Sequence, residues 1–300
     1  MAIVFRESPF NISRTCLNVM RGRLKRFASR FVRSLTRPRS VGLSVCGGGG
    51  TSISCKWVDV LTDKELLELN SLLDWQCYIL DGRGRQFGNT AWDGKRCEPQ
   101  NIPDRRIKLL NERFHLSDKH VLEVGCFEGI HTVGLSMFAQ KVTAIDSRIE
   151  NAVKTIVRCA MFGYSPVVFK HDVEEQSAGT SIPEVDVIHH VGVLYHLRDP
   201  VSHLKELGRR CRVGIMLDTH YCLDEETTDQ YEVSGKAYRY RKYRESGYHD
   251  VFSGMYDHAK WLRLADIRTV LTEAGFSTVQ VVEDRRERNG PRTLLFAERA

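Results

Sequence analysis

The chain has no apolar run of about 18 residues, which excludes a membrane-spanning helix from its 300 residues. It has no Cys-x-x-Cys pair. Its nine cysteines, from Cys16 to Cys222, stand apart, and no compact Cys/His cluster has metal-ligand spacing. An odd count without a framework argues against a disulfide scaffold and fits reduced thiols. A cytoplasmic protein that binds no metal is therefore expected. No internal repeat is present, which excludes solenoids and propellers. The Gly-x-Gly-x-x-Gly that cradles pyrophosphate in nicotinamide enzymes is also missing, which argues against hydride transfer. What is there is an ordinary globular composition, 42% hydrophobic, with enough apolar content for a core.

Acid is scarce at one end only. Residues 1–40 hold ten basic side chains (nine arginines and Lys25) against the single acid Glu7, although the whole chain is only +6. The remainder is slightly acidic, so the charge signature of nucleic-acid binding belongs to the tail. Residues 1–55 are expected to be a basic extension ending in Gly47-Gly48-Gly49-Gly50. Within it Met20, Leu24, Phe27, Phe31 and Leu35 fall at helical spacing among arginines, so residues 19–35 suit either an anionic membrane surface or an organelle-targeting peptide. A disordered extension is the plainer reading.

Residues 56–103 read as a helical and looped addition. A helix over Leu61–Leu73 starts at Thr62 with Glu65 three residues on, a capping box, and Asp81–Pro103 is expected to be mostly loop. From Asp104 a regular rhythm sets in. A helix to Phe114 precedes strands at Val121–Val124, Lys141–Ile145, Val167–Phe169, Val185–His190 and Arg212–Asp218, with helices between them. After an insertion at 219–260 come a helix at Leu264–Ala274 and two strands, Thr278–Glu283 and Thr293–Ala297, joined by Asn289-Gly290-Pro291. The fold class expected for 104–300 is α/β, a doubly wound, seven-stranded, mostly parallel sheet ending in an antiparallel hairpin.

The strongest chemical signal is Val121-Leu-Glu-Val-Gly-Cys-Phe-Glu-Gly129. A buried strand ends in a Gly-rich bend that lets backbone approach a ligand, and the next helix offers unpaired N–H groups. The following strand ends in Asp146, where a carboxylate can accept both ribose hydroxyls. The third ends in Phe169-Lys-His-Asp172-Val173, an acid for an adenine amino group and a side chain to cover the ring. Glu123 inside the first strand would repel pyrophosphate but suits a ligand bearing ammonium and sulfonium. For Asp146 or Asp172 taken singly, an exposed loop acid is an equal reading; the register of all three favours a site.

These motifs, together with His190-Val-Gly-Val-Leu-Tyr-His-Leu-Arg-Asp-Pro200, resemble those of class I S-adenosylmethionine-dependent methyltransferases. Gly192 to Pro200 is similar to the tRNA wobble-uridine carboxymethyltransferase family and to related bacterial methyltransferases of unassigned substrate. The resemblance spans about 104–300 and is dense over 120–200. It implies that Glu123, Gly125, Cys126, Gly129, Asp146, Asp172 and Val173 line the S-adenosyl-L-methionine site, with Val191 and Tyr195 beside the sulfonium. The sequence departs from the pattern at Phe127, where the family has a second loop glycine, and at Val191, where methionine is usual. Trp92 and Lys95 do not match the spacing with which that family grips a carboxylated cofactor, so the plain methyl donor is expected.

On the acceptor side, His196 and His220 are rival general bases, since imidazole titrates near neutrality; a packed loop histidine is the plainer reading of each. Tyr195 is expected to shape the pocket, and Arg292 to approach cofactor or substrate. The insertion, rich in Tyr and Arg from Tyr231 to Tyr248, reads as an RNA-stacking surface, a lid over a small acidic substrate, or a solvated, partly helical flap. The expected function is methyl transfer to an O, N or C nucleophile of a small-molecule or glycan-type acceptor. The alternatives are a tRNA wobble uridine and a non-catalytic binding module. DNA is not an expected partner, and the acidic body argues against RNA because phosphate contacts supply most such affinity.

Overall fold

The computed structural model describes residues 55–89, 98–175 and 182–300. The basic segment 19–35, the Gly-rich stretch and the pair Trp92 and Lys95 lie outside the described residues. No helix among the described residues is long and apolar enough to cross a membrane.

Helix α1 (Asp63–Leu72) begins at the expected box: the Thr62 hydroxyl accepts the Glu65 N–H at 3.3 Å, and Glu65 accepts the Thr62 N–H at 3.0 Å. An antiparallel hairpin, β1 (Tyr78–Leu80) with β2 (Gln86–Gly88), reaches into the start of the stretch read as loop. Its turn is organised by Asp81, whose carboxylate accepts the N–H groups of Arg83 and Arg85 at 2.9 and 2.7 Å. Three-residue strands carry too little periodicity to be read from sequence. Asp104 then caps α2 (Arg105–Phe114) by accepting the Arg106 N–H at 2.8 Å.

The main sheet comprises β3 (His120–Val124), β4 (Lys141–Asp146), β5 (Val167–Lys170), β6 (Val185–Val191), β7 (Cys211–His220), β11 (Thr278–Glu287) and β12 (Gly290–Glu298), in the order β11-β12-β7-β6-β3-β4-β5. The five strands from β7 to β5 run parallel; β12 and β11 are antiparallel. The hairpin strands are longer than expected, because pairing with β11 carries Gly290 and Pro291 into β12. Helices α3 (Ile130–Ser136), α4 (Ile149–Phe162), α5 (Pro200–Arg210) and α6 (Leu264–Glu273) complete the fold with α2. Alternate residues of the strands enter two separate cores. Val121, Val187 and Met216 pack with α2 residues Ile107 and Leu110, whereas Leu122, Ile188 and Leu217 pack with α5 and α6. The chain leaves β3 toward β4 on one side and toward β6 on the other. That reversal opens a crevice at the carboxyl ends of the two strands, where ligands bind in such sheets.

The insertion is a second sheet, not a partly helical flap: β8 (Asp229–Val233), β9 (Lys236–Arg244) and β10 (His258–Leu262) form an antiparallel array in the order β10-β9-β8. Tyr238 and Tyr240 alternate with Arg239 and Arg241 along β9, a two-residue period partly hidden by its charge. The sheet is seated on the loop after β6 through Lys260 N–H to Leu197 O at 2.8 Å and Trp261 Nε1 to Tyr195 O at 2.9 Å.

Behind that loop His190 and His203 are buried with their Nε2 atoms 2.9 Å apart. Burial pushes His190 down to about 4 and His203 well below the usual histidine range. In the unfolded chain both titrate near 6.5, so between roughly pH 6.5 and 4 the unfolded state binds more protons. Their stabilisation is present above the unfolded value and is lost as pH falls through the window. The melting temperature is expected to drop from pH 6.5 to 4.5, and less steeply in His203→Gln. Equal slopes would remove the pair from the cause.

Candidate active site

The bend after β3 is shaped by its neighbours. Gly125 has φ +77, and a Cβ there would stand 2.3 Å from the Val193 side chain, so only glycine fits. Phe127, at the position of the missing family glycine, still adopts left-handed backbone at φ 50. Its N–H donates to Asp146 Oδ2 at 2.9 Å and its ring lies 5.5 Å from that of Phe252, which offset the strain. Glu128 turns inward and is fully buried. It accepts the N–H groups of Gln76 and Cys77 at 2.7 and 3.1 Å, and pairs with Lys154 at 2.9 Å and Arg158 at 3.6 Å. The addition at 55–89 is thereby bolted to the back of the bend.

Around the mouth of the crevice lies a cavity of about 650 Å³, a size that suits a nucleoside cofactor plus a small acceptor. Glu123, Gly125, Cys126, Asp146, Asp172, Val173, Val191, Tyr195 and His196 all line it. Gly129 does not. It stands behind the bend, where a Cβ would meet the α4 backbone at Thr155 Cα, 3.0 Å away. Asp146 is 7% exposed and also accepts the Arg148 N–H at 2.9 Å and Asn151 Nδ2 at 3.1 Å. Phe127, Arg148 and Asn151 thus take three of the carboxylate's roughly four acceptor positions. Asp172 accepts the Glu174 N–H at 3.0 Å. Glu123 is 1% exposed; burial pushes its carboxyl up to about 8 against a hydrogen bond of 2.5 Å from the Thr132 hydroxyl. The residues fit an S-adenosyl group: a glycine bend for close approach and acids at two successive strand ends.

At the acceptor end Asp218, buried at the tip of β7, draws three guanidiniums: Arg292 at 2.5 Å, Arg285 at 3.1 Å and Arg106 at 3.6 Å. Burial would raise its carboxyl, but these cations, Arg292 foremost, hold it below the usual range. His196 Nδ1 lies 2.7 Å from Glu245 Oε1. The other Glu245 oxygen accepts the Ser253 hydroxyl at 2.5 Å and the Gly254 N–H at 3.1 Å. Burial acts to raise the Glu245 carboxyl, but His196 foremost, with the Ser253 hydroxyl and the Gly254 N–H, holds it below the usual range. His220 is not brought to the cavity wall. It stacks on Trp261 at 4.9 Å, and its Nδ1 is 3.0 Å from Pro291 O, so packing uses the ring.

Sequence reasoning missed Glu245, Asp218 and Arg106; residues 250–261 read from sequence as a turn and edge packing over the site, and Val251–Met255 lines the cavity. Arg148 Nη2 ties that segment down through the carbonyls of Gly247, Asp250 and Gly254 at 3.2, 2.9 and 3.3 Å. No local motif announces contacts of this kind; each spans about 50 residues or more.

Fold and site together define a class I methyltransferase whose methyl donor is S-adenosylmethionine. A family model described as a methyltransferase domain matches residues 98–281, and the chain belongs to that family. It is similar to the ubiquinone biosynthesis O-methyltransferase of Hydrogenovibrio crunogenus, 29% identical over 132 residues, covering 43% of this chain and 54% of that protein. The tRNA U34 carboxymethyltransferase of Campylobacter curvus is 29% identical over 128 residues, 39% of each chain. The match thus covers about half of the first relative's length and about two fifths of the second's. Among solved structures, the N-terminal domain of EvdMO1 with SAH bound superposes with a TM-score of 0.64 at 22% identity, over 79% of this chain and 95% of that one. That likeness is one of fold.

Proposed function

We propose that this chain methylates a hydroxyl of a small metabolite or glycan-type acceptor. The observation that carries the reading is His196 on the cavity wall, paired with Glu245: a carboxylate 2.7 Å from Nδ1 fixes the ring and leaves Nε2 as the proton acceptor. When bound, S-adenosylmethionine supplies an electrophilic methyl group on a sulfonium. Asp146 and Asp172 are the acids assigned to hold the donor, with Val173 and Val191 against its apolar parts. His196 takes the acceptor O–H proton as the new O–CH₃ bond forms. Tyr195 and Arg292 border the same end, the guanidinium 5.6 Å from the phenol ring, and favour an acceptor with polar or anionic substituents. A cavity lined by Val251–Met255, in the connection between β9 and β10, supports a compact acceptor over a polynucleotide.

The test is incubation with radiolabelled donor and fractionated cell extract, with and without ribonuclease. Label in a low-molecular-weight fraction that survives ribonuclease supports the reading; label that vanishes transfers the assignment to RNA, the acceptor class named for the carboxymethyltransferase relatives. With the acceptor in hand, His196→Ala is expected to lower kcat by roughly 10²–10⁴-fold. Glu245→Gln should lower it less and shift the pH profile. Unchanged kcat in His196→Ala would dismiss it as the base.

A further inference from the structure

One cluster of chemically capable side chains goes beyond the methyl-transfer reading. β3 and β6 run parallel with Glu123 opposite His189, so both side chains leave the same face of the sheet. The first turn of α3 brings His131 over them, its ring edge-on to that of His189 at 5.0 Å. One potential ligand atom from each of the three lies within 4.8 Å of the other two. His189 is 1% exposed, and neither ring nitrogen has a hydrogen-bond partner. Buried polar atoms are nearly always paired, so an imidazole with both nitrogens unmet marks a place for a ligand.

We propose that Glu123, His131 and His189 bind a divalent transition-metal ion, of the zinc or ferrous type, at the floor of the cavity. Two imidazoles and one carboxylate are a donor set those ions accept, and three protein ligands leave a coordination position open. Glu123 and His131 line the cavity, so the open side faces the space where ligands enter. Metal bonds of about 2.0–2.2 Å put ligand atoms roughly 3.4 Å apart, so the three close on an ion by side-chain rotation of about 1 Å. The Thr132 hydroxyl orients Glu123 at 2.5 Å. His131 Nε2 lies between Arg106 Nη2 at 3.2 Å and Asp104 Oδ2 at 3.7 Å. Positions 123, 131 and 189 have no linear signature, which is why the sequence led to the expectation of no metal.

The test uses the full chain stripped with chelator. Cobalt(II) titration is expected to give d–d absorption saturating at one equivalent, and zinc to displace it. His189→Gln and His131→Asn should each weaken uptake by more than about 100-fold, whereas His258→Ala, far from the cluster in sequence and on the second sheet, should not. Thermal melting of each variant verifies folding. Absence of stoichiometric uptake, or uptake unchanged in both cluster variants, overturns the proposal. S-adenosylhomocysteine binding to the metal-free protein, measured alongside, reports on the donor site separately.

Discussion

Replacing Glu128 by alanine is expected to cost about 3–5 kcal/mol of unfolding free energy, the usual range when one member of a buried ionic group is removed. Lys154 and Arg158, 4% and 0% exposed, would keep their charges without a counter-ion. The N–H groups of Gln76 and Cys77 would lose their acceptor as well. For a domain of this size, the loss corresponds to a fall in melting temperature on the order of 10 °C. Calorimetry is the direct measurement, and limited proteolysis should show earlier cleavage within 55–89, the segment the carboxylate holds. Glu128→Gln keeps acceptor capacity but removes the charge, and should fall between. A loss below about 1 kcal/mol in the alanine variant would mean that the packing of Trp75 and Phe87 on Arg158 carries the attachment instead.

Asp146→Ala is expected to weaken S-adenosylhomocysteine binding by roughly 10²-fold or more. Each charge-assisted hydrogen bond to a ribose hydroxyl is worth about 1.5–3 kcal/mol, and 1.4 kcal/mol is about tenfold in affinity. The carboxylate also organises the bend by accepting the Phe127 and Arg148 N–H groups. Part of the loss would therefore come from a looser Phe127, which needs that bond to stay in left-handed backbone. Asp146→Asn separates the contributions: an amide oxygen can still accept, but without charge. Titration calorimetry with each variant, after a melting check on the free protein, gives the comparison. Equal affinity in wild type and Asp146→Ala would take this residue out of the ribose assignment.

What could be read from sequence was whatever has a local cause. A strand buried on both faces, a glycine in left-handed backbone at its end, and acids at or just past strand ends all sit within short windows. So do the Thr62–Glu65 box and the alternation that defines the parallel sheet. Glu245 was invisible because its meaning comes from His196, 49 residues earlier in the chain. Glu123 was read for its place in the bend, but its neighbour His189 depends on strand register, which only the folded sheet supplies. The second sheet was obscured for another reason: its alternating residues are tyrosine and arginine, both long and amphipathic, so burial and exposure do not sort by polarity. His220 misled because a histidine one or two residues past a buried strand looks the same whether it faces a crevice or a tryptophan.

Arg148 and Glu245 tie one stretch of chain to two parts of the cavity wall. The Arg148 guanidinium gathers carbonyls from both ends of 247–254, and Glu245, which meets His196 at 2.7 Å, also accepts the Ser253 hydroxyl and the Gly254 N–H. A substitution that loosens residues 247–254 would therefore be felt at Phe252, against Phe127 of the glycine bend, and at the imidazole of His196 alike.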